Sequence, residues 1–232
     1  MTTTSPHAPT AAEEARGPRV GRVLLALSAL LGPLMLALAV GTLPYATDDS
    51  TKELVAAIAD DRGMVQLSQW GWALGLILLV PGTVGVGLLA MTRSPKLGLW
   101  GAAVFGTGLL AIATTPNLDQ VTLGGLEKGV GQQALVRVTD GTYELAVNAV
   151  PTLYFVAAHV IGAILLGVAL LRGRSVPAWA AWVLILSMPL NVVGFVAGLM
   201  PVAVLSFVML AVGFGAAGLV IARDGTGWVR AS

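Results

Sequence analysis

Six long apolar stretches dominate this chain, at about 23–43, 70–91, 97–115, 151–171, 178–199 and 202–222. Each is close to the roughly 20 apolar residues that a helix needs to cross a hydrocarbon layer about 30 Å thick. Inside lipid every backbone N–H and C=O must find a partner within the protein, and runs of this length do so as α-helices. The expected fold is therefore all-α, a polytopic membrane protein with a six-helix transmembrane bundle. Charge agrees with this. Only 11% of the residues are charged, against roughly 25% in soluble domains, which is too few to cover a surface facing water. Cysteine is absent, which removes disulfides, thiolate metal sites and cysteine nucleophiles from consideration.

The basic residues predict an orientation. Arg16, Arg19, Arg22, Arg93, Lys96, Arg172, Arg174, Arg223 and Arg230 fall on the N-terminal side of the membrane, nine in all. The opposite side holds Lys52, Arg62, Lys128 and Arg137, which is four. The positive-inside rule then places both termini in the cytoplasm. Tyr45, Trp70 and Trp72 at outer span ends, with Trp100, Trp179 and Trp182 at inner ones, stand where aromatic belts are expected. The acids are skewed the other way: Asp48, Asp49, Glu53, Asp60, Asp61, Asp119, Glu127, Asp140 and Glu144 all lie outside. Such a face attracts cations within a Debye length of about 8 Å and suits neither nucleic acid nor anionic lipid.

Met1 to Pro18, rich in Thr, Pro and Ala, reads as a disordered cytoplasmic tail, and 223–232 as a second, short one. The first apolar run exceeds the roughly 7–15 apolar residues of a signal peptide, so it is expected to stay as an anchor. Ser28 and Gly32 form a small-xxx-small pair within it. Two outer loops are expected, at 44–69 and 116–150. In the first, Ser50 and Glu53 have capping-box spacing. Leu54, Val55 and Ile58 then make one apolar face of a short helix over the bundle mouth, with Gly63 as its stop. In the second, Gly124-Gly125 and Gly129 to Gly131 argue against one continuous helix. Gly71, Gly75, Gly82 and Gly85 share a face of the second span, which predicts tight packing by another helix, and Pro81 should loosen that span.

Polar residues within spans are costly and tend to face the bundle interior. At about 100° per residue, Glu144, Asn148, Thr152, Phe155 and His159 fall on one face, ending at the only histidine in any span. His159, Asn191 and Thr107 each lie eight residues from an outer boundary, roughly 12 Å deep at 1.5 Å per residue. His159 and Asn191 are therefore expected to face each other or a common cavity, with Thr107 and Thr152 in its lining and Glu144, Asn148, Asn117 and Asp119 at its mouth. The plainest role for His159 is a neutral imidazole joining two helices. A proton acceptor paired with Glu144 or Asp119 is the functional alternative. One histidine without a second His or Cys is too few ligands for a metal, and no metal or cofactor is expected. P-loop, dinucleotide, HExxH and GxSxG signatures are all missing from the sequence.

The order of the parts resembles that of small multi-pass membrane proteins of actinobacteria. The shared layout is an Arg-preceded first span, an outer short helix carrying Glu53-Leu54-Val55-Ala56-Ala57-Ile58, and a second span ending in the basic turn Arg93-Ser94-Pro95-Lys96. The resemblance covers about the first half of the chain and implies no activity for particular residues.

The reading that follows is a non-catalytic protein of the cell membrane with an acidic outer face and a small, outward-facing polar cavity. Its partners would be the lipid bilayer and a small lipophilic or cationic ligand. A membrane enzyme acting on an isoprenoid-like substrate, with Glu144, Asp119 or His159 as acid or base, is the first alternative; it would need a carboxyl kept protonated in an apolar pocket. A proton-coupled carrier built on His159 is the second.

Overall fold

The computed structural model describes Ala11 to Gly225, with side chains from Arg19 onward, so part of each expected tail lies outside the described residues. Nine helices are described and no strand. Six regions are long and apolar enough to cross a membrane. They are α1 (Ala11–Gly41), α3 (Arg62–Met91), α4 (Pro95–Ala113), α7 (Ala146–Gly173), α8 (Ala178–Val196) and α9 (Met200–Asp224). The others are short: α2 (Thr51–Asp60), α5 (Leu118–Glu127) and α6 (Gln132–Tyr143). Residues 95–127 are apolar enough to count as one segment, but helix geometry breaks at Thr114 and resumes at Leu118. The 19 residues of α4 already extend about 28 Å at 1.5 Å per residue, so α4 is the span and α5 lies beyond it.

The spans form a closed ring. α1 packs between α3 and α9, α4 packs on α7 and α8 on α9, and the pairs α3–α4 and α7–α8 complete the circle. Lipid offers apolar chains as good as Leu, so helix association in a membrane depends on close van der Waals fit. The glycine face of α3 provides that fit. Gly71 meets Ala39, Gly75 meets Leu36 and Gly82 lies against the Ala29 backbone, all on α1. Ser28 and Gly32 are their counterparts, seated on Gly82 and on the Leu79 backbone. The α4–α7 contact is equally close and runs backbone to backbone: a Cβ on Gly162 would stand 2.6 Å from the Phe105 nitrogen. Pro81 sits inside α3 without ending it.

The short helices form a second, smaller core at one end of the ring, here termed the cap. Leu54, Val55 and Ile58 of α2 pack with Val65 at the start of α3, Leu123 of α5 and Leu135 of α6. The capping box is present: Ser50 Oγ accepts from the Glu53 N–H and Glu53 Oε2 accepts from the Ser50 N–H. The break between α5 and α6 falls at Lys128–Gly131, where Gly129 adopts a φ of 76° that an L side chain resists.

Three boundaries differ from expectation. Gly63 does not stop α2; Asp61 ends it and at once caps α3, its carboxylate accepting from the Met64 N–H at 3.1 Å. The first loop is consequently shorter than 44–69, because α3 begins at Arg62, two turns before residue 70. Glu144 does not continue the helix that carries His159, as the shared face implied: it closes α6, and the extended Leu145 separates it from α7.

Candidate functional site

The cap end of the bundle encloses a cavity of about 240 Å³ to which all six spans contribute. Trp72 and Leu76 of α3, Phe195 of α8 and Phe207 of α9 form its upper wall. Phe207 holds the Trp72 and Phe195 rings edge-on at 6.4 and 6.5 Å. Leu79, Phe105, Met188 and Leu210, all buried, close it on the side away from the cap. Val196, at the cap end of α8 and 78% exposed, is the most exposed of the lining residues. The cavity wall therefore reaches the surface of the ring by the end of α8.

Three polar residues line the cavity: Thr152, His159 and Asn191. Two have a polar atom engaged elsewhere. The Thr152 hydroxyl donates to the Asn148 carbonyl at 2.8 Å, and the Asn191 amide donates to Ser206 Oγ at 2.9 Å. The cavity wall is almost entirely apolar as a result, although a polar cavity was expected. His159 differs. Its Nδ1 lies 2.7 Å from the Phe155 carbonyl oxygen, and its ring stacks on the Phe155 ring with centroids 4.6 Å apart. Its Nε2 is buried without any partner, although only 4% of the residue is exposed. Buried polar atoms are rarely left in this state.

The other expected site residues lie elsewhere. Thr107 has the expected depth but faces outward, where its hydroxyl bonds the Ala103 carbonyl at 2.8 Å and the Tyr154 hydroxyl at 2.7 Å. A threonine whose hydroxyl bonds back to its own helix can face lipid, so depth alone did not place it inside. Asn148 is buried at the start of α7 but does not reach the cavity. Glu144 is exposed. Trp72, expected in an interfacial belt, turns into the cavity instead.

Asn117 and Asp119 join a separate polar cluster where the cap meets the spans. Asn117 Nδ2 donates to Gln69 Oε1 at 2.6 Å, Gln69 Nε2 donates to Asp119 Oδ2 at 3.0 Å, and the Tyr45 hydroxyl donates to the same oxygen at 2.7 Å. Asn117 also caps α5, its Oδ1 accepting from the Gln120 N–H. Burial raises the Asp119 carboxyl above the ordinary carboxylate range, and the hydrogen bonds from Tyr45 and Gln69 only partly offset this. Burial, and then the neighbouring Asp119 charge, push the Tyr45 phenol well above its usual value. Gln69 and Ser206 complete these two networks. Neither is marked by depth in the sequence: Gln69 stands at the edge of the expected outer loop, and Ser206 only four residues inside the expected sixth span.

Among the described residues, no three His, Cys, Asp or Glu side chains converge as a metal site would require. No family model matches the chain, and neither the curated proteins nor the solved structures contain a match to it.

Proposed function

We propose that this chain is a non-catalytic, multi-pass protein of the cell membrane that binds a small lipophilic ligand in the cavity at the cap end of its ring. The observation that carries this reading is an apolar cavity of about 240 Å³ whose wall reaches the surface at Val196. A ligand dissolved in the bilayer enters such a cavity without crossing water, and burial of its apolar surface against Phe155, Phe195 and Phe207 supplies affinity. The excess of Arg and Lys on the side away from the cap supports cytoplasmic termini and an outward-facing cap.

The two alternatives draw less support. Acid catalysis on an isoprenoid-like substrate needs a carboxyl in the cavity, and no Asp or Glu lines it. A proton-coupled carrier needs polar groups continuing past His159, and Leu79, Phe105, Met188 and Leu210 close that route.

The test is photoaffinity labelling in nanodiscs with a neutral terpene bearing an alkyl diazirine, mapped by mass spectrometry. Saturable labelling at Phe155, Val192 or Val196, competed by unlabelled terpene, is the expected result. Labelling confined to lipid-facing positions such as Val147 and Leu153, without saturation, overturns the reading.

A further inference from the structure

The unpartnered Nε2 of His159 specifies more than an apolar ligand. The Phe155 carbonyl oxygen, 2.7 Å from Nδ1, accepts hydrogen bonds and cannot donate one. Nδ1 must therefore carry the proton of the neutral imidazole, which leaves Nε2 with a lone pair. The ring cannot readily exchange the two nitrogens, because the Nδ1 bond and the stack on Phe155 fix its orientation. Asn191, the side chain beside the ring, sends one amide hydrogen to Ser206, and no hydrogen bond joins it to Nε2. Nε2 is thus a buried acceptor without a hydrogen-bond partner, on a residue that lines an otherwise almost wholly apolar cavity.

We propose that the cavity selects neutral lipophilic molecules carrying an O–H or N–H donor, such as a terpenoid alcohol, with His159 Nε2 as the acceptor. This rests on the ligand-binding role proposed above and adds the chemical class. A buried acceptor left unpaired penalises an ether or hydrocarbon of the same shape, whereas a hydroxyl placed there completes the bond. A carboxylate brings only acceptors toward the lone pair and is disfavoured.

The experiment compares geraniol with its methyl ether as competitors of diazirine labelling, using the full-length protein in nanodiscs and equal membrane concentrations of the two probes. Geraniol is expected to compete roughly tenfold better, the size of a single net hydrogen bond. In His159→Phe, which keeps an aromatic ring against Phe155, the two should become equal. A second readout needs no variant of His159. The chain has 2 histidines, so in ¹⁵N-histidine-labelled protein a His7→Gln control assigns the His159 signals. Geraniol should move the unprotonated Nε2 resonance upfield and the ether should not. Equal competition by the two probes with an unmoved Nε2 signal overturns the donor rule while leaving a lipophilic site intact. Failure of both probes to compete overturns the donor rule and the binding role together.

Discussion

The Tyr45 hydroxyl donates to the Asp119 carboxylate at 2.7 Å, bridging 74 residues of sequence and joining the connector after the first span to the first turn of α5. Gln69, at the base of α3, reaches the same oxygen. The cap is thus tied to the bundle by one shared acceptor as well as by its own small core.

Removing the phenolic donor should loosen that tie. Tyr45→Phe keeps the ring and leaves a partly buried carboxylate short of one bond, at a cost of about 1–3 kcal/mol. Hydrogen exchange should quicken in α2, α5 and α6 while α4 and α7 stay unchanged. Exchange in the cap identical to the parent protein would show that the bond contributes nothing.

The same pair makes the cap sensitive to pH, with a definite sign. Asp119 has a raised carboxyl pKa in the folded protein. Between the unfolded and folded values the folded state holds more protons, so stability falls as pH rises through that window. Tyr45 is shifted in the same direction, and its contribution is lost above the ordinary phenol range of about 10. Other carboxylates titrate in the lower window too, so the measurement is the difference in thermal midpoint between the parent and Asp119→Asn. That difference should change between pH 3 and pH 7 in favour of the variant at the higher pH, and a constant difference would count against the assignment.

Helix contact in the ring predicts a contrast between two glycines. Gly162 faces the Phe105 backbone, whereas a Cβ on Gly106 would have open space around it. Gly162→Ala should cost about 1–3 kcal/mol by forcing α4 and α7 apart. Gly106→Ala should be neutral or stabilise by up to roughly 1 kcal/mol through lost backbone freedom in the unfolded chain. Denaturation in a fixed detergent, followed by circular dichroism, separates the two; equal midpoints would contradict the packing.

The proposed orientation is open to direct labelling because the chain has no cysteine. Asp60→Cys in the cap and Lys96→Cys in the α3–α4 turn each introduce a single thiol. In intact cells a membrane-impermeant maleimide should modify the first and spare the second until the cells are opened. The reverse pattern would invert the protein in the membrane.

The spans were legible because hydropathy over about 20 residues reports the one interaction that dominates in lipid. The glycine face of α3 was legible for a similar reason, since periodicity fixes which residues share a helix side. Facing was harder to read than depth. Thr107 and His159 lie equally deep, yet one turns to the surroundings and the other to the cavity. The cap was read only through Ser50 and Glu53, whose box is local in sequence. Its core draws three buried apolar residues from α2 and one each from α3, α5 and α6, Val65 and Leu123 among them, and no window of sequence contains that pattern. The lone pair of His159 was equally out of reach, because it depends on a carbonyl one helical turn away and on where Asn191 sends its amide.

The contact between α1 and α9 has a consequence for how the protein is made. Gly218 of α9 sits on the Ala26 backbone of α1, and Gly225 lies beside the Arg22 guanidinium. Since α1 leaves the ribosome before α9, its packing is completed only when the later helix arrives. Until then α1 presents an unfilled groove to lipid and to any assembly factor that shields nascent spans. The adjacency of α1 and α9 also makes the order of synthesis a matter of where the ring is cut: a chain joined across Gly225 and Arg19, and opened instead at Arg93-Ser94, would build the same circle from a different starting helix.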